Sequence, residues 1–190
     1  MRAALLVLAL LAAAPDAWAK TPPPMMDMGG GAKVSPEADA RVGQLPAAFT
    51  PGTVQILGLG GQHETLTAAQ IAALPHAHVT IDHDGKTLDY SGPLVSDLLR
   101  DVDAPMGVRL HGSGVNDVVM VTAADRFRVV LSLAEVDPSF HKGAKVILAD
   151  QVNGKPLTGK AAPFRLMIEG DTRPARSEYA VVSIALKHLP

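Results

Sequence analysis

From Thr53 to Leu186 the chain is a succession of short apolar runs, each closed by Gly, Pro, Asn or Asp before it reaches the length of a core helix. Such punctuation selects strands over helices. Residues 53–59 read as a strand ending at Gly60-Gly61. Residues 77–82 and 87–90 read as a hairpin joined through Asp84-Gly85, the strongest turn signal in the chain. Residues 116–122 and 126–131 form a second candidate pair around Ala123-Ala124-Asp125, and 145–150, 164–169 and 179–186 complete the strands, with a further turn at Asn153-Gly154. Helices are few. One is expected at 67–74, opened by Thr67 and closed before Pro75, and another at 93–102, where Leu94, Val95, Leu98, Leu99 and Val102 recur at helical spacing behind Pro93. Ser132 caps a last helical turn that ends before Pro138. No regular strand-helix alternation runs through this order, so the expected class is α+β: β-rich, a mostly antiparallel mixed sheet with a few short helices.

The residues before Thr53 have a different character. Met1-Arg2, an apolar run to Ala14, then Pro15, Asp16 and Ala17-Trp18-Ala19 have the layout of a cleavable export signal, so residues 1–19 are expected to be removed. The apolar run is short of the ~20 residues that a spanning helix needs, so no membrane span is expected after cleavage. The expected address is periplasmic or secreted. Residues 20–52, with Pro22-Pro23-Pro24 and Gly29-Gly30-Gly31, read as a flexible tether, and 53–190 as one domain. In an exported domain of this size disulfides are common, yet the chain has no cysteine, so stability rests on the core and every thiolate chemistry is excluded. A formal charge of −2, with bases and acids intermixed and only four Phe and two Tyr, points away from nucleic acid.

Several motifs touch on chemistry. Gly58-Leu59-Gly60-Gly61 follows a strand but has His63 where a dinucleotide loop needs its third glycine, and Gly112-Ser113-Gly114 reads as a surface turn. Met25-Met26-Asp27-Met28 offers soft thioethers suited to Cu(I), or is a flexible segment that contains methionines. His76 and His78, two apart, share a face if extended and can bind Zn or Cu with Asp82 or a distant His, or they are the solvent-facing start of a strand after Pro75. The segment from Gly170 to Ser177 joins two apolar strands and carries Arg173 and Arg176 around Pro174. Two guanidiniums held there suit forked hydrogen bonding of phosphate or carboxylate, and the alternative is a pair of surface salt bridges to Asp171 and Glu178.

Taken in order, Tyr90-Ser91-Gly92-Pro93-Leu94, Asp97-Leu98-Leu99, Thr122 to Phe127, Leu133 to Pro138, Pro163-Phe164-Arg165-Leu166 and Gly170-Asp171 with Arg173-Pro174-Ala175-Arg176 resemble the molybdopterin-binding domain of the sulfite-oxidase type, in particular its small exported members. The resemblance spans residues 53–186 and implies that fold. In the enzymes of the family a cysteine thiolate just upstream of the aromatic-x-Gly segment binds molybdenum, and the matching residues 76–89 contain none. Glycine and basic residues near the C-terminal end hold the pterin phosphate, a part that the resemblance gives to Arg173 or Arg176, with Glu178 close to where a base is expected.

The function expected from these features is non-catalytic binding of an anionic small molecule or a periplasmic protein partner, with Arg173, Arg176, Asp171 and Tyr90 at the site. One alternative is a molybdopterin-dependent oxidoreductase, or a subunit of one, that holds the cofactor without a protein thiolate. The other is a periplasmic copper-handling protein using His76, His78 and the methionines.

Overall fold

Eleven strands and three short helices are present in the computed structural model, which describes residues 49–189 apart from 84 and 144. The export signal, most of the tether and the Met25–Met28 cluster lie outside the described residues. Among the described residues no helix is long and apolar enough to cross a membrane.

The strands are β1 (Thr53–Leu57), β2 (His63–Thr67), β3 (Ala77–His83), β4 (Lys86–Gly92), β5 (Asp117–Ala123), β6 (Arg128–Ser132), β7 (Val146–Ala149), β8 (Gln151–Val152), β9 (Lys155–Pro156), β10 (Arg165–Ile168) and β11 (Val181–His188). The helices are α1 (Ala68–Ala72), α2 (Val95–Asp101) and α3 (Leu133–Val136). A five-stranded sheet has the order β2-β1-β11-β5-β6, a four-stranded one β3-β4-β8-β9, and β7 pairs with β10 in a two-stranded ribbon. All pairs are antiparallel except β1 with β11. The class is the α+β, strand-rich one expected from the punctuation.

Local chemistry explains most boundaries. Thr67 starts α1 by a capping box, its hydroxyl accepting from the Gln70 N–H while the Gln70 side chain accepts from the Thr67 N–H. Ser132 caps α3 by accepting from the Glu135 N–H at 3.0 Å. Asn153 (φ 50°) and Gly154 (φ 72°) both adopt the left-handed conformation that a two-residue hairpin demands, and they turn β8 into β9. Two expectations are corrected. Pro93 stands outside α2, because the extended Leu94 is its N-cap and bridges to Ile147. The polar run of β2 forms a strand that the apolar pattern does not predict, since its mostly exposed residues lack an apolar stripe and are ordered by pairing with β1.

The ribbon β7–β10 positions the site. Val146, Leu148, Phe164, Leu166 and Ile168 face the main core with Val54, Ile56, Leu98, Leu99 and Ile184, whereas Ile147, Ala149 and Met167 face a smaller core with Val79, Tyr90 and Leu157. A strand buried on both faces reads as a continuous apolar run, and Val146–Ala149 does. Gly92 ends β4 where the backbone of β7 passes against it: a Cβ there would lie 2.1 Å from the Leu148 carbonyl oxygen, so only glycine fits. This contact, with Leu148 N–H donating to Pro93 at 3.0 Å, docks the β3–β4 hairpin onto the ribbon.

Candidate functional site

β10 carries one charged residue, Arg165, within an otherwise apolar buried strand. Alternation turns its side chain to the same face as Met167, toward β4 and the smaller core. The residue as a whole is 8% exposed. Its Nη1 donates to Tyr90 Oη at 2.7 Å, and Cζ lies 4.2 Å from the centre of the Tyr179 ring and 5.1 Å from that of Tyr90. Stacking of this kind suits the planar, weakly hydrated guanidinium. Its Nε has no hydrogen-bond partner, and among the described residues no carboxylate pairs with it. A buried cation without a counter-ion costs several kcal/mol in an apolar setting, of which aromatic stacking offsets only about 1–2.

Arg165 lines a pocket of about 400 Å³. One wall is the β3–β4 hairpin with Thr80, Ile81, Asp82, Leu88 and Tyr90. The other is β10 and the segment that follows it, with Met167, Gly170, Asp171, Thr172, Arg173 and Tyr179. The pocket is therefore mostly apolar, with one buried cation and a second, exposed cation, Arg173, at its rim. Apolar surface with convergent polar and charged groups, here including the carboxylates of Asp82 and Asp171, is the usual make-up of a small-molecule site.

The structure divides the pair Arg173 and Arg176. Pro174–Arg176 forms a single 3-10 turn that points the two side chains apart: Arg173 lines the pocket and Arg176 does not. Arg176 instead makes a forked pair with Asp171 (Nη2 to Oδ1 2.7 Å, Nε to Oδ2 3.1 Å) and a third hydrogen bond to Glu135 Oε1 at 2.8 Å. Hydrogen bonds to Asp171 first, and then to Glu135, hold its pKa above the ordinary arginine value. Asp171 thus lines the pocket with its charge already matched by Arg176, and Tyr90 lines it through the hydroxyl that accepts from Arg165. Glu178 pairs with neither arginine. It is 3% exposed and both carboxylate oxygens lack a hydrogen-bond partner; burial, first, and the charge of Asp125 push its pKa up to about 8 against the pull of the nearby Ala123 backbone.

The histidines take separate partners. His76 Nε2 lies 3.2 Å from Asp150 Oδ1, an ion-pair contact that lacks the angles of a hydrogen bond, and His78 Nδ1 lies 2.9 Å from Asp89 Oδ2. Burial raises the Asp150 pKa, against the pull of the nearby His76. Asp82, the suggested third ligand, accepts from the Thr87 hydroxyl at 2.7 Å. Among the described residues no group of three or more His, Asp or Glu side chains is arranged to hold a metal ion.

In the sequence Arg165 stands out only as part of the Pro163-Phe164-Arg165-Leu166 motif, and its role at the site is seen in the fold. The signal was present: a single Arg inside Pro163-Phe164-Arg165-Leu166-Met167-Ile168 has no apolar reason to be there. Burial needs an explanation when the buried group is polar, and this one was visible in the run itself.

No protein-family model matches the chain, and no curated protein matches it in sequence. Among solved structures it is similar to the sulfane dehydrogenase SoxCD from Paracoccus pantotrophus, at a TM-score of 0.52 and 17% identity. The match covers 72% of this chain and 39% of that one, so this chain spans well under half the length of its structural neighbour. At that identity the likeness is one of fold.

Proposed function

We propose that this chain is an exported binding protein built on the fold of a molybdopterin oxidoreductase subunit, and that it holds a small organic anion non-catalytically against Arg165. The supporting observation is a buried guanidinium that lines a mostly apolar pocket of about 400 Å³ and pairs with no carboxylate among the described residues. A bound carboxylate or phosphate would supply the missing counter-charge, and Arg173 at the rim adds a second. Two features of the sequence support the exported setting, the signal layout of residues 1–19 and the tether that follows.

The molybdenum centre implied by the fold does not fit these residues. A protein thiolate is its expected ligand and the chain has no cysteine. The one sulfur lining the pocket is the Met167 thioether, which lies 2.9 Å from the Ser177 hydroxyl.

Calorimetric titration with inorganic phosphate, a pterin phosphate and small dicarboxylates tests it, using wild type and Arg165→Gln. Binding of one of these anions by wild type, weakened at least tenfold in a variant that still melts cooperatively, is the expected result. Equal affinity in the two proteins, or no binding by wild type, would overturn the reading. Molybdenum at one atom per chain in protein matured in a molybdenum-replete host would establish the oxidoreductase alternative instead.

A further inference from the structure

Beside the pocket of Arg165 lies a second, smaller one of about 190 Å³, and the two share Pro174, Ser177 and Tyr179. Its chemistry is the reverse of the first. Glu178 lines it, with Asp125 from the β5–β6 turn, and the walls include Phe127 and Tyr179. Among the described residues none that lines it is basic. Arg165, which stacks on the Tyr179 ring, lines the neighbouring pocket and not this one.

Glu178 is held in place from both sides. Its carbonyl accepts from the Leu166 N–H at 2.9 Å, and the adjacent Ser177 hydroxyl lies 3.1 Å from the Leu166 carbonyl, so the acid is pinned against β10. Asp125 Oδ1 accepts from the Phe127 N–H at 2.9 Å, which fixes the turn opposite. A carboxyl group offers about four acceptor positions and is rarely left with none filled when buried. Here both oxygens are buried without a hydrogen-bond partner. Phe127 and Tyr179 are about half exposed, at 54% and 47%, so the walls are reachable from solvent. Aromatic faces around an acid are the surroundings in which an ammonium or guanidinium is stabilised, by charge pairing and by the ring quadrupoles together.

We infer that this second pocket is a binding site for an organic cation, an ammonium or guanidinium head on a short apolar stem, with Glu178 as its counter-charge and Phe127 and Tyr179 as its walls. The head is supplied by a free amine or by a Lys or Arg side chain of a peptide. Either is balanced by an ionised carboxylate, whose oxygens lie beneath the pocket lining rather than on it. The titratable and charged groups that face Glu178 across this pocket are Asp125 and Tyr179, and the charge of Asp125 opposes its ionisation. Occupation therefore expels the Glu178 proton, and affinity rises with pH until that group is ionised in the free protein.

The test is calorimetric titration of the protein with butylammonium and with Nα-acetyl-arginine N-methylamide, at pH 6.5 and pH 9.0, both cations remaining charged across this range. The expected result is binding at least about tenfold tighter at the higher pH, with a proton released at the lower one that shows as a dependence of heat on buffer ionisation. Glu178→Gln should bind at least about tenfold more weakly at pH 9.0 and lose that pH dependence, while keeping its affinity for the anion of the first pocket. Phe127→Ala, at an exposed turn position, provides a second variant and should weaken binding several-fold. Tighter binding of butylammonium identifies a free amine as the source, and tighter binding of the arginine derivative identifies a peptide. No binding of either at pH 9.0, or equal binding at the two pH values, overturns the site.

Discussion

Arg165, the first residue of β10, and Arg176, in the segment that joins β10 to β11, show two opposite ways of housing a guanidinium. Arg176 is 40% exposed and meets two carboxylates, Asp171 in a fork and Glu135 at a third nitrogen. Arg165 is 8% exposed and meets two tyrosines and no carboxylate among the described residues. The first is closed by its own neighbours. The second is held in position, stacked and oriented, with charge to spare. Whether an arginine can recognise a ligand thus depends less on its presence in a loop than on which acids the fold brings to it, and those acids are set by tertiary packing.

The largest expected effect separates these two residues by ligand affinity. Each charge-assisted hydrogen bond contributes about 1.5–3 kcal/mol, and about 1.4 kcal/mol is a decade in affinity. Arg165→Gln should therefore weaken anion binding tenfold or more, Arg173→Ala should have a smaller effect from the solvated rim, and Arg176→Gln should change it less than about twofold. Titration of the three variants under one set of conditions would reverse the comparison if Arg176 ranked first.

The sequence made the scaffold readable and half of the site. Strand punctuation and the turn pairs Asn153-Gly154 and Ala123-Ala124-Asp125 depend on local backbone preferences, so they could be read without knowing what packs where. The segment from Gly170 to Ser177 was also recognisable as a rigid anion-binding candidate, because two apolar strands flank it. What could not be read was the division of labour inside it. Glu135, one partner of Arg176, is 41 residues away in sequence, and its arrival depends on how α3 docks. The state of Glu178 was hidden for the same reason: two residues from Arg176 in sequence it looks like a surface partner, and only packing against β10 and the β5–β6 turn shows that it is buried.

Glu178 gives the second effect, one of stability against pH. Its carboxyl titrates near 8 in the folded protein against an ordinary 4.5, with burial as the first cause. Between these values the native state retains a proton that the unfolded chain has lost, so stability falls as pH rises through this window and levels off above it. Glu178→Gln carries no such proton. Thermal melts at pH 5 and pH 9 should show wild type losing at least about 1 kcal/mol, roughly 2–4 °C in Tm, relative to the variant. Asp150, whose pKa is also raised, is present in both proteins and cancels from the difference. Parallel pH profiles would mean that Glu178 is paired in solution and is not the counterpart of Arg165 in lacking a partner.

A third test sharpens what holds Arg165 in position. Tyr90→Phe removes the acceptor of the 2.7 Å bond from Nη1 and keeps the ring. Leaving that donor unsatisfied should cost about 1–2 kcal/mol of stability, measured by denaturant titration. Added ligand anion should recover part of the loss by giving Nη1 another acceptor. If the variant is as stable as wild type without ligand, water already satisfies Nη1, and the pocket is less closed than 8% exposure implies.

The smallest effect belongs to Arg176 and concerns stability alone. Its side chain is 40% exposed, Asp171 20% and Glu135 32%, so the charges are only partly removed from water and their attraction is screened. Exposed pairs contribute about 0.2–1 kcal/mol, and the fork to Asp171 places this one toward the upper end. Arg176→Gln should lower Tm by at most about 2–4 °C at low ionic strength. The difference should shrink in 1 M salt, where the screening length is about 3 Å, comparable with the distances within the triad. The same loss is expected with or without ligand anion, because Arg176 does not line the pocket. Melting curves of wild type and variant at low and high salt, each with and without the anion, read both features at once. A loss that appears only when the anion is present would transfer Arg176 from the closed triad to the binding site, and the contrast with Arg165 would no longer stand.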